Sequence, residues 1–521
     1  MAAGPEGPFF LRWNCRRAGG GGWVDMVANT VQQMIEGRKQ APAQLGRVAV
    51  LGLGKSGRAV AEYLVPLLGG RLDQLTVYAG PSNADAQAWA EGVRRAGAQV
   101  LFDTEEVVGP FELCIASPGI SQFSPFYQAA KRASGEVVSE VEFAWRESRS
   151  DAVWVAVTGT NGKTTTTALA CHLLQQAGLA ACAVGNIGDT CIQAVASGRC
   201  SHYVAEVSSY QLASTVNFAP NAAVVLNITP DHLAWHRSHE AYAEAKWKLL
   251  ANLPSVEGAV AVIGAVNDET RAKVRQLKAE GSARGFSYVP IGAKGGLGQD
   301  MRKACGSENA AFLDGDVLTV ALDGAEHVLI PRNRLQLEGI HNCENALAAA
   351  TAALAVGVSA QSVAAGLATF TALAHRIEPA GTVAGVACFN DSKATNVDAT
   401  LAAIGAFDPK RPVILLGGRD KGTDLEPLVR ACNSHAKAVV CFGEARERFL
   451  EAFRVQGAAQ LQVLEAPGME AALDAGLSAA VLGDVLVLSP ACASFDEFSC
   501  FEERGDVFKA LVAQRAAARG E

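Results

Sequence analysis

The sequence lacks the features that mark membrane and secreted proteins. No run of apolar residues reaches the roughly 18 that span a bilayer. The nearest, residues 346–358, is rich in alanine and is expected to form a packed helix. Arg12, Arg16 and Arg17 are followed by glycines at 19–22, where a signal peptide needs its apolar stretch. We therefore expect no membrane segment and no secretion signal.

Positive charge and closely spaced cysteines are also scarce. Lysine and arginine number 45 against 53 acidic residues, and the net charge of −8 argues against a nucleic-acid surface. The 13 cysteines include no CxxC pair, so neither a zinc site nor a disulfide scaffold is indicated. We expect reduced, buried thiols and a cytoplasmic protein.

The length and the pattern of the chain indicate several α/β domains. At 521 residues, of which 49% are hydrophobic, two to four domains are expected. Short apolar runs alternate with helical stretches, which is typical of parallel sheets. The polar, glycine-rich segment 271–309 is expected to form loops or a small excursion. The predicted divisions are a flexible extension or an incorrectly placed start over 1–45, then domains over 46–140, 141–372 and 373–521.

A phosphate-binding loop, TGTNGKTT, occupies residues 158–165 between a predicted strand and a predicted helix. Such a turn aims backbone N–H groups and the helix N-terminus at phosphate oxygens. Lys163 would reach the terminal phosphates and Thr164 would ligate Mg²⁺. The first glycine of a strict GxxxxGK[ST] motif would fall on Val157. The loop alone does not distinguish a ligase from an ATPase, a GTPase or a small-molecule kinase.

A second glycine pattern, with Gly52, Gly54 and Gly57 after the first strand, usually suggests a dinucleotide site. The end of the second strand, TVYAGPSN, carries no acidic residue where such a site needs one. An NAD-binding oxidoreductase, or a non-catalytic nucleotide sensor, is therefore the alternative from another class.

The chain resembles the Mur ligases of bacterial cell-wall synthesis. The matching strings are LGLGKSG at 51–57, SPGI at 117–120, TGTNGKTT at 158–165, GNIG at 185–188, EVSSYQL at 206–212, NITPDHL at 227–233, GIHNCENALAA at 339–349, AHRIE at 374–378, NDSKATN at 390–396, LLGGRDKG at 415–422 and SPACASFDEF at 489–498. They follow the family's order over residues of about 47 to 508. The resemblance implies a Rossmann-like N-terminal domain, a P-loop-type ATP-binding central domain and a Rossmann-like C-terminal domain.

The resemblance also implies an activity. The family uses ATP to join an amino acid to a nucleotide-linked carboxylate through an acyl phosphate. The strings DSKATN and ACASFDEF favour an enzyme that adds D-glutamate to UDP-N-acetylmuramoyl-L-alanine in the synthesis of peptidoglycan precursors. A monomer is expected. Another Mur-type ligase, such as one adding L-alanine, is the near alternative.

Residue roles follow from the resemblance at the matching positions. The implied catalytic residues are Lys163, Glu206, His232 and Lys246. The implied ATP contacts are Gly159, Thr160, Asn161, Gly162, Lys163, Thr164, Thr165, Asn342, Asn345, Arg376, Asp391 and Lys393. The implied ligands of two Mg²⁺ ions are Thr164, Glu206, His232 and Lys246, the last after its amine is carbamylated by CO₂.

Several of these residues have simpler readings. Without the resemblance, Lys246 would be read as a solvated lysine on a helix, and Lys248 competes with it for the carbamate. His232 would more often be structural. A capping or ion-paired carboxylate is the lesser alternative for Glu206, and a salt bridge between domains is an alternative for Arg376 that is compatible with its implied role.

The substrate residues are likewise implied by the resemblance. Those for the UDP substrate are Gly54, Ser56, Ser117, Gly119, Asn186, Ser208 and Gln211. Those for D-glutamate are Thr395, Lys421, Ser494 and Phe501, and Lys421 would pair with the side-chain carboxylate that alanine lacks. The TVYAGPSN segment departs from the family's uridine pattern, and Asn83 or Asp85 are the candidate replacements there.

Overall fold

A computed structural model describes residues 37–293, 305–371, 373–420, 422–457 and 461–519. Within these ranges, no helix is long and apolar enough to cross a membrane. The chain forms two compact units. The first contains residues 37–120 together with 125–151 and 192–199, and the second contains 121–124, 152–191 and the described residues from 200 to 519.

The first unit is built on a five-stranded parallel sheet with the order β3-β2-β1-β4-β5. Its strands are β1 (Gly46–Leu51), β2 (Leu72–Tyr78), β3 (Gln99–Leu101), β4 (Phe111–Ala116) and β5 (Ser134–Ser139). Its helices are α1 (Lys55–Leu64), α2 (Ala84–Arg95), α3 (Pro125–Ala133) and α4 (Glu140–Glu147). The strand residues Val48 to Leu51 are all buried, as expected where helices cover both faces of a parallel sheet.

The second unit contains a nine-stranded sheet with the order β14-β13-β12-β11-β10-β9-β6-β8-β7. Its strands are β6 (Val153–Thr158), β7 (Ala181–Gly185), β8 (His202–Glu206), β9 (Ala222–Val225), β10 (Val260–Gly264), β11 (Ser287–Gly292), β12 (Ala310–Asp314), β13 (Val317–Leu322) and β14 (Ala325–Pro331). The pairings β12–β13 and β13–β14 are antiparallel and the others are parallel.

The helices of this part of the chain are α5 (Lys163–Gln176), α6 (Cys191–Ser197), α7 (Ser209–Ala213), α8 (Leu233–His236), α9 (His239–Trp247), α10 (Asp268–Glu280), α11 (Ile340–Ala355) and α12 (Ala360–Thr369). Most of α6 belongs to the first unit. The alanine-rich helix expected at 346–358 is found as α11, buried from Ala346 to Ala353 against the main core. Small side chains allow its backbone to lie close to the neighbouring helices and strands.

The second unit also contains a six-stranded sheet with the order β15-β16-β20-β17-β18-β19, in which β15 and β16 alone are antiparallel. Its strands are β15 (Glu378–Val383), β16 (Val386–Asn390), β17 (Val413–Gly417), β18 (Ala438–Phe442), β19 (Gln462–Glu465) and β20 (Val485–Ala491). Its helices are α13 (Val397–Ala406), α14 (Glu426–His435), α15 (Arg446–Gln456), α16 (Met469–Ala479) and α17 (Phe501–Ala517). The predicted α/β class is confirmed, with one sheet in each of three successive parts of the chain.

Two sequence expectations need correction. Of the loops or small excursion expected over 271–309, the loops are wrong, because the segment contains most of α10 and all of β11. Only Thr270, Val274 and Leu277 are buried along α10, so its sequence is largely polar although it is helical. The thiols are also not all free, since Cys182 and Cys200 form a disulfide with a Cα–Cα distance of 6.1 Å. The other ten cysteines of the described ranges are present as thiols.

Candidate active site

The phosphate loop is held in place by Asn227, in the segment that follows β9. The Asn227 side-chain oxygen accepts hydrogen bonds from the backbone N–H groups of Thr160 and Asn161, at 3.1 and 2.8 Å. Its amide nitrogen donates to the Asn161 carbonyl at 3.1 Å. The Thr160 hydroxyl also lies 2.9 Å from that of Tyr242. The loop is therefore fixed by side chains from two neighbouring segments.

Gly162 is the residue that lets the loop turn into α5. Its φ of +85° lies in the left-handed region, and a Cβ at this position would overlap the Asn345 side chain. Lys163 opens the helix, and its ammonium donates to the carbonyls of Gly159 and Thr160 at 2.9 and 2.8 Å. Burial lowers the pKa of Lys163, and the nearby Glu206 carboxylate opposes that shift. The lysine thus closes the loop on itself while its charge stays beside a carboxylate.

The loop forms one wall of a cavity of about 210 Å³. Eleven of the twelve predicted ATP contacts line it, and Gly159 is the one that does not. The eleven are Thr160, Asn161, Gly162, Lys163, Thr164, Thr165, Asn342, Asn345, Arg376, Asp391 and Lys393. Arg376, before β15, and Asp391 and Lys393, after β16, thus line the same cavity as the phosphate loop after β6.

Charges of both signs face this cavity. Burial lowers the pKa of Arg376, and burial together with Arg376 lowers that of Lys393 to about 8. Burial raises the pKa of Asp391 to about 7, although Ser489 donates a 2.8 Å hydrogen bond to this carboxylate. Burial and Arg376 lower the pKa of His341 to about 4. An anionic ligand would relieve this crowding of cations, because it would bring them opposite charge.

Glu206 ends β8 and is 1% exposed. Its Oε1 accepts a 2.8 Å hydrogen bond from the Asn186 side chain. Its Oε2 has no hydrogen-bond partner among the described residues, although it is buried. A buried carboxylate oxygen without a donor is costly, and a cation in the cavity would satisfy it.

Lys246, in α9, is also 1% exposed, so the reading of it as a solvated lysine is wrong. Its ammonium donates to the Gly159 carbonyl at 2.8 Å and lies 4.6 Å from the centre of the Tyr242 ring. Burial, and then the charge of Lys163, lower the pKa of Lys246 well below its usual value. Burial thereby favours the neutral amine over the ammonium. The competing lysine, Lys248, instead donates to the Ala213 carbonyl.

His232 lies directly after Asp231 in the loop before α8. Its φ of +53° is left-handed, and its backbone N–H donates to an Asp231 carboxylate oxygen at 2.8 Å. Its Nδ1 lies 2.8 Å from the Tyr210 hydroxyl, and its Nε2 lies 3.5 Å from the other Asp231 oxygen. Asp231 and His232 both line the cavity.

The donor set fits Mg²⁺ better than a tightly caged metal. Among the described residues, no three His, Cys, Asp or Glu side chains form a ready-made metal cluster. Mg²⁺ is typically held by one or two carboxylates, hydroxyls, waters and substrate phosphates. Thr164 and the unpartnered oxygen of Glu206 supply groups of this kind at the cavity wall.

A second, mainly apolar cavity of about 290 Å³ adjoins the first and shares Asn161, Gly162, His341 and Asn345 with it. Asn345 donates to Asn342 at 3.0 Å, and Asn342 donates to the Glu338 carbonyl at 2.7 Å. The Asn345 amide is therefore held by Asn342, and the Asn342 amide by the backbone just before α11.

The residues predicted to bind D-glutamate do not all line the first cavity. Thr395 lines the first cavity, whereas Ser494 and Phe501 are not among its described lining residues. The Lys393 ammonium lies 3.6 Å from the centre of the Phe501 ring. Lys421 lies outside the described residues.

The residues predicted for the UDP substrate lie in both units. In the first unit, Gly54 precedes α1, and the Ser117 hydroxyl lies 3.4 Å from the Gly52 carbonyl. Ser56 lies in the first turn of α1, and Gly119 is an exposed residue after β4. In the second unit, Ser208 and Gln211 form a capping box at the start of α7. Their side chains thus already have a local structural role.

Asn83 and Asp85, the candidate replacements at the uridine end, also have local partners. Asn83 caps α2 by accepting from the Ala86 N–H at 2.9 Å. Asp85 forms an ion pair with Arg58.

Sequence reasoning missed four residues around the cavity. They are Tyr210, Asn227, Tyr242 and Arg504. Asn227 and Tyr210 lie inside quoted strings, so their polar side chains after strands were an available signal. Arg504 is fully buried and donates to the backbone or side chains of Ser392, Cys492 and Ala493. It thereby connects the segment after β16 to the segment after β20. The sequence gives no signal for these contacts, because Arg504 reads as an ordinary helix arginine.

Comparison with known proteins agrees with this architecture. The profile of the Mur ligase middle domain matches residues 157–353, and that of the Mur ligase glutamate ligase domain matches 375–492. Among solved structures, MurF from Acinetobacter baumannii superposes with a TM-score of 0.56 at 18% identity, covering 94% of this chain and 98% of its own. Folylpolyglutamate synthase from Mycobacterium tuberculosis, complexed with ADP, gives 0.52 at 17% identity, with 71% and 92% covered.

Curated relatives are similar over nearly the whole chain. UDP-N-acetylmuramoylalanine–D-glutamate ligase from Salinibacter ruber is 38% identical over 480 residues, which is 89% of this chain and 97% of the relative. The enzyme of the same name from Latilactobacillus sakei is 35% identical over 484 residues, which is 92% and 99%. This chain belongs to the Mur ligase family, and it is a ligase. The resemblance and the enzyme class expected from the sequence are thereby confirmed.

Proposed function

We propose that this chain joins D-glutamate to UDP-N-acetylmuramoyl-L-alanine and converts ATP to ADP and phosphate. The relatives that match it over most of their length carry the name of that activity. The observation that supports it is the convergence of Lys163, Glu206, Arg376 and Lys393 on one cavity beside a phosphate loop.

The chemistry brings two anions together. A carboxylate oxygen of the UDP substrate attacks the γ-phosphorus of ATP, the bond to ADP breaks, and an acyl phosphate forms. The neutral amine of D-glutamate then attacks the acyl carbon, phosphate leaves, and the ammonium proton is lost to solvent or a nearby base. Lys163, Arg376 and Lys393 would offset the repulsion, since cations fixed in a buried site cost no reorganisation during the reaction.

The nucleotide is assigned to the two adjoining cavities. Its phosphates would lie against the phosphate loop and Lys163, with Asp391 and Lys393 opposite. Its base would enter the apolar cavity past Asn345, where a flat aromatic ring can replace water. Asn342 and His341 lie at the same edge.

Two Mg²⁺ ions belong to the proposed reaction. When bound, Mg²⁺ would neutralise charge on the phosphates and on the attacking carboxylate. Thr164 and Glu206 are the proposed ligands of one ion, and His232 and carbamylated Lys246 of the other. The lowered pKa of Lys246 supports the carbamate, because CO₂ reacts with a neutral amine. The product would change this position from a cation into an anion beside Lys163, which removes a like-charge contact.

The amino-acid site is assigned to the segments after β16 and β20. Thr395 would face the D-glutamate from the cavity wall. Phe501 would hold the Lys393 ammonium against its ring. Ser494 would offer a hydroxyl from the segment to which Arg504 donates hydrogen bonds. Lys421 remains the proposed partner of the side-chain carboxylate. The UDP-substrate roles of Gly54, Ser56, Ser117, Gly119, Asn186, Ser208 and Gln211 remain proposals as well.

A direct test is to incubate the protein with ATP, Mg²⁺, UDP-N-acetylmuramoyl-L-alanine and D-glutamate, and to follow ADP and the product mass. ADP should form only when all components are present. With ¹⁸O in the substrate carboxylate, one label should appear in the released phosphate, because the acyl phosphate keeps that oxygen. Unlabelled phosphate would refute the acyl-phosphate route, and no ADP would refute the activity.

A further inference from the structure

Tyr210 and His232 are joined through a single ring nitrogen at the edge of the cavity. We infer that Tyr210 is a positioning residue that fixes the orientation of the His232 imidazole and sets which of its nitrogens faces the site. This inference rests on the proposed function in one respect, namely that His232 serves the second cation. Tyr210 itself is not among the described residues that line either cavity.

The position of the Tyr210 hydroxyl is determined by its surroundings. Tyr210 lies in α7, four residues after Glu206, and the Ser208–Gln211 capping box fixes the start of that helix. Its ring stacks on Trp235 with centroids 4.5 Å apart and an interplanar angle of 24°. The ring of His236 lies 5.7 Å away, and His236 is itself within 2.9 Å of the Ser209 hydroxyl. A rigid aromatic frame therefore holds this hydroxyl.

The His232 side chain is not held in one orientation by tight packing, as a core residue would be, so a hydrogen-bond partner matters more for it. Its side chain is 42% exposed, and its backbone has the left-handed conformation found before α8. A side chain with this exposure loses rotamer freedom when it is held in one orientation. A hydrogen bond of 2.8 Å to a fixed hydroxyl selects one ring orientation, with Nε2 on the side of Asp231.

A hydroxyl is suited to this task because it can donate or accept. When the Tyr210 O–H donates to Nδ1, the neutral imidazole carries its proton on Nε2 and directs it toward Asp231. When Nδ1–H donates to the Tyr210 oxygen, Nε2 presents a lone pair, which is the arrangement that a metal-binding histidine requires. The ring passes from the first state to the second when Nε2 loses its proton to solvent and Nδ1 takes one up from solvent, while the tyrosine hydroxyl turns and the imidazole stays in place.

The test removes this hydroxyl and little else. Tyr210→Phe keeps the ring that stacks on Trp235. Tyr203→Phe is the matched control, because it removes a hydroxyl bonded to the Cys200 carbonyl at 2.9 Å, outside the cavity. The first readout is ¹⁵N NMR of the histidine ring nitrogens in the full-length protein, recorded at the same pH for every variant. His232→Ala identifies the His232 signals.

We expect Tyr210→Phe to shift the His232 Nδ1 signal away from its hydrogen-bonded position, and Tyr203→Phe to leave it unchanged. The second readout is Mn²⁺ binding to the protein with ADP, followed by electron paramagnetic resonance. Loss of the partner that orients a ligating histidine typically weakens metal binding about 10- to 100-fold. Tyr210→Phe should show a loss in that range, and it should add no further loss in a His232→Ala background.

Identical His232 signals in Tyr210→Phe and in the unaltered protein would overturn the inference. Equal Mn²⁺ losses from Tyr210→Phe with and without His232 would overturn it too, because Tyr210 would then act by another route. Neither readout requires turnover. A protein that does not ligate D-glutamate would refute the proposed function. The NMR and Mn²⁺ measurements would still show whether Tyr210 orients His232.

Discussion

The hydroxyl of Thr229 donates a hydrogen bond to a carboxylate oxygen of Asp398, 169 residues further along the chain. Thr229 follows β9 of the nine-stranded sheet, and Asp398 lies in the first turn of α13, which packs on the six-stranded sheet. A second contact, from the Asn396 amide to the Asn161 side chain at 3.4 Å, lies nearby. These contacts join the two sides of the nucleotide cavity.

Thr229→Val should therefore weaken nucleotide binding. The substitution keeps the side-chain shape but removes the donor to a carboxylate, an interaction worth about 1.5–3 kcal/mol. We expect the KM for ATP to rise by roughly 10-fold or more, with a smaller effect on kcat. Steady-state kinetics at saturating UDP substrate and D-glutamate measure both.

The matched control is Thr351→Val, which removes a buried hydroxyl bonded within α11 to the Leu347 carbonyl. It should lower stability slightly and leave the KM for ATP unchanged. Asp398→Asn keeps an acceptor for Thr229 and should be milder than Thr229→Val. Equal KM values in the two valine variants would contradict a role in closing the cavity.

Lys163→Ala should reduce kcat by several orders of magnitude, because it removes a fixed cation from the transferring phosphoryl group. Circular dichroism should show an intact fold. The exposed Lys410→Ala provides a control that removes a lysine of the same unit without touching the cavity. Near-normal turnover by Lys163→Ala would rule out this role.

The pKa of Lys393, lowered to about 8 by burial and Arg376, predicts a pH limit on nucleotide capture. The charged ammonium is present below that pH and is lost as the pH rises through it. The kcat/KM for ATP should therefore fall above a pH of about 8. Lys393→Arg keeps its charge to much higher pH and should move this fall upward. The same alkaline limb in both proteins would refute the assignment.

The Cys182–Cys200 disulfide predicts a stability that depends on redox conditions. A cross-link that closes a loop of 18 residues stabilises a protein by about 3 kcal/mol through the unfolded chain. Cys182→Ser should lower the free energy of unfolding by about that amount under oxidising conditions and by much less with a reductant. Cys305→Ser, which removes a free thiol, should show no such redox dependence. Urea unfolding measures this difference.

Much of the fold was predictable because local signals agree with it. An apolar run before TGTNGKTT specifies β6, and Gly162 followed by a run without glycine or proline specifies α5. The error over 271–309 arose because α10 lies on the surface and shows only three buried positions. A mostly polar helix resembles a loop when periodicity is weak.

The sequence predicted which residues belong to the site. It did not predict the contacts between them. The order of motifs identified Lys163, Asn345 and Arg376, which line one cavity. Sequence could not predict that Tyr210 meets the His232 ring or that Lys246 points inward to the Gly159 carbonyl, because these contacts depend on how loops after separate strands converge. Burial, which sets the pKa values, likewise appears only in the folded chain.

The most direct test of the central claim is the choice of amino acid. Phosphate release should be measured with ATP, Mg²⁺ and UDP-N-acetylmuramoyl-L-alanine in the presence of D-glutamate, L-glutamate or L-alanine, and with L-alanine on UDP-N-acetylmuramate. The account predicts rapid release with D-glutamate and close to background release with the others. Release with L-alanine and none with D-glutamate would contradict it.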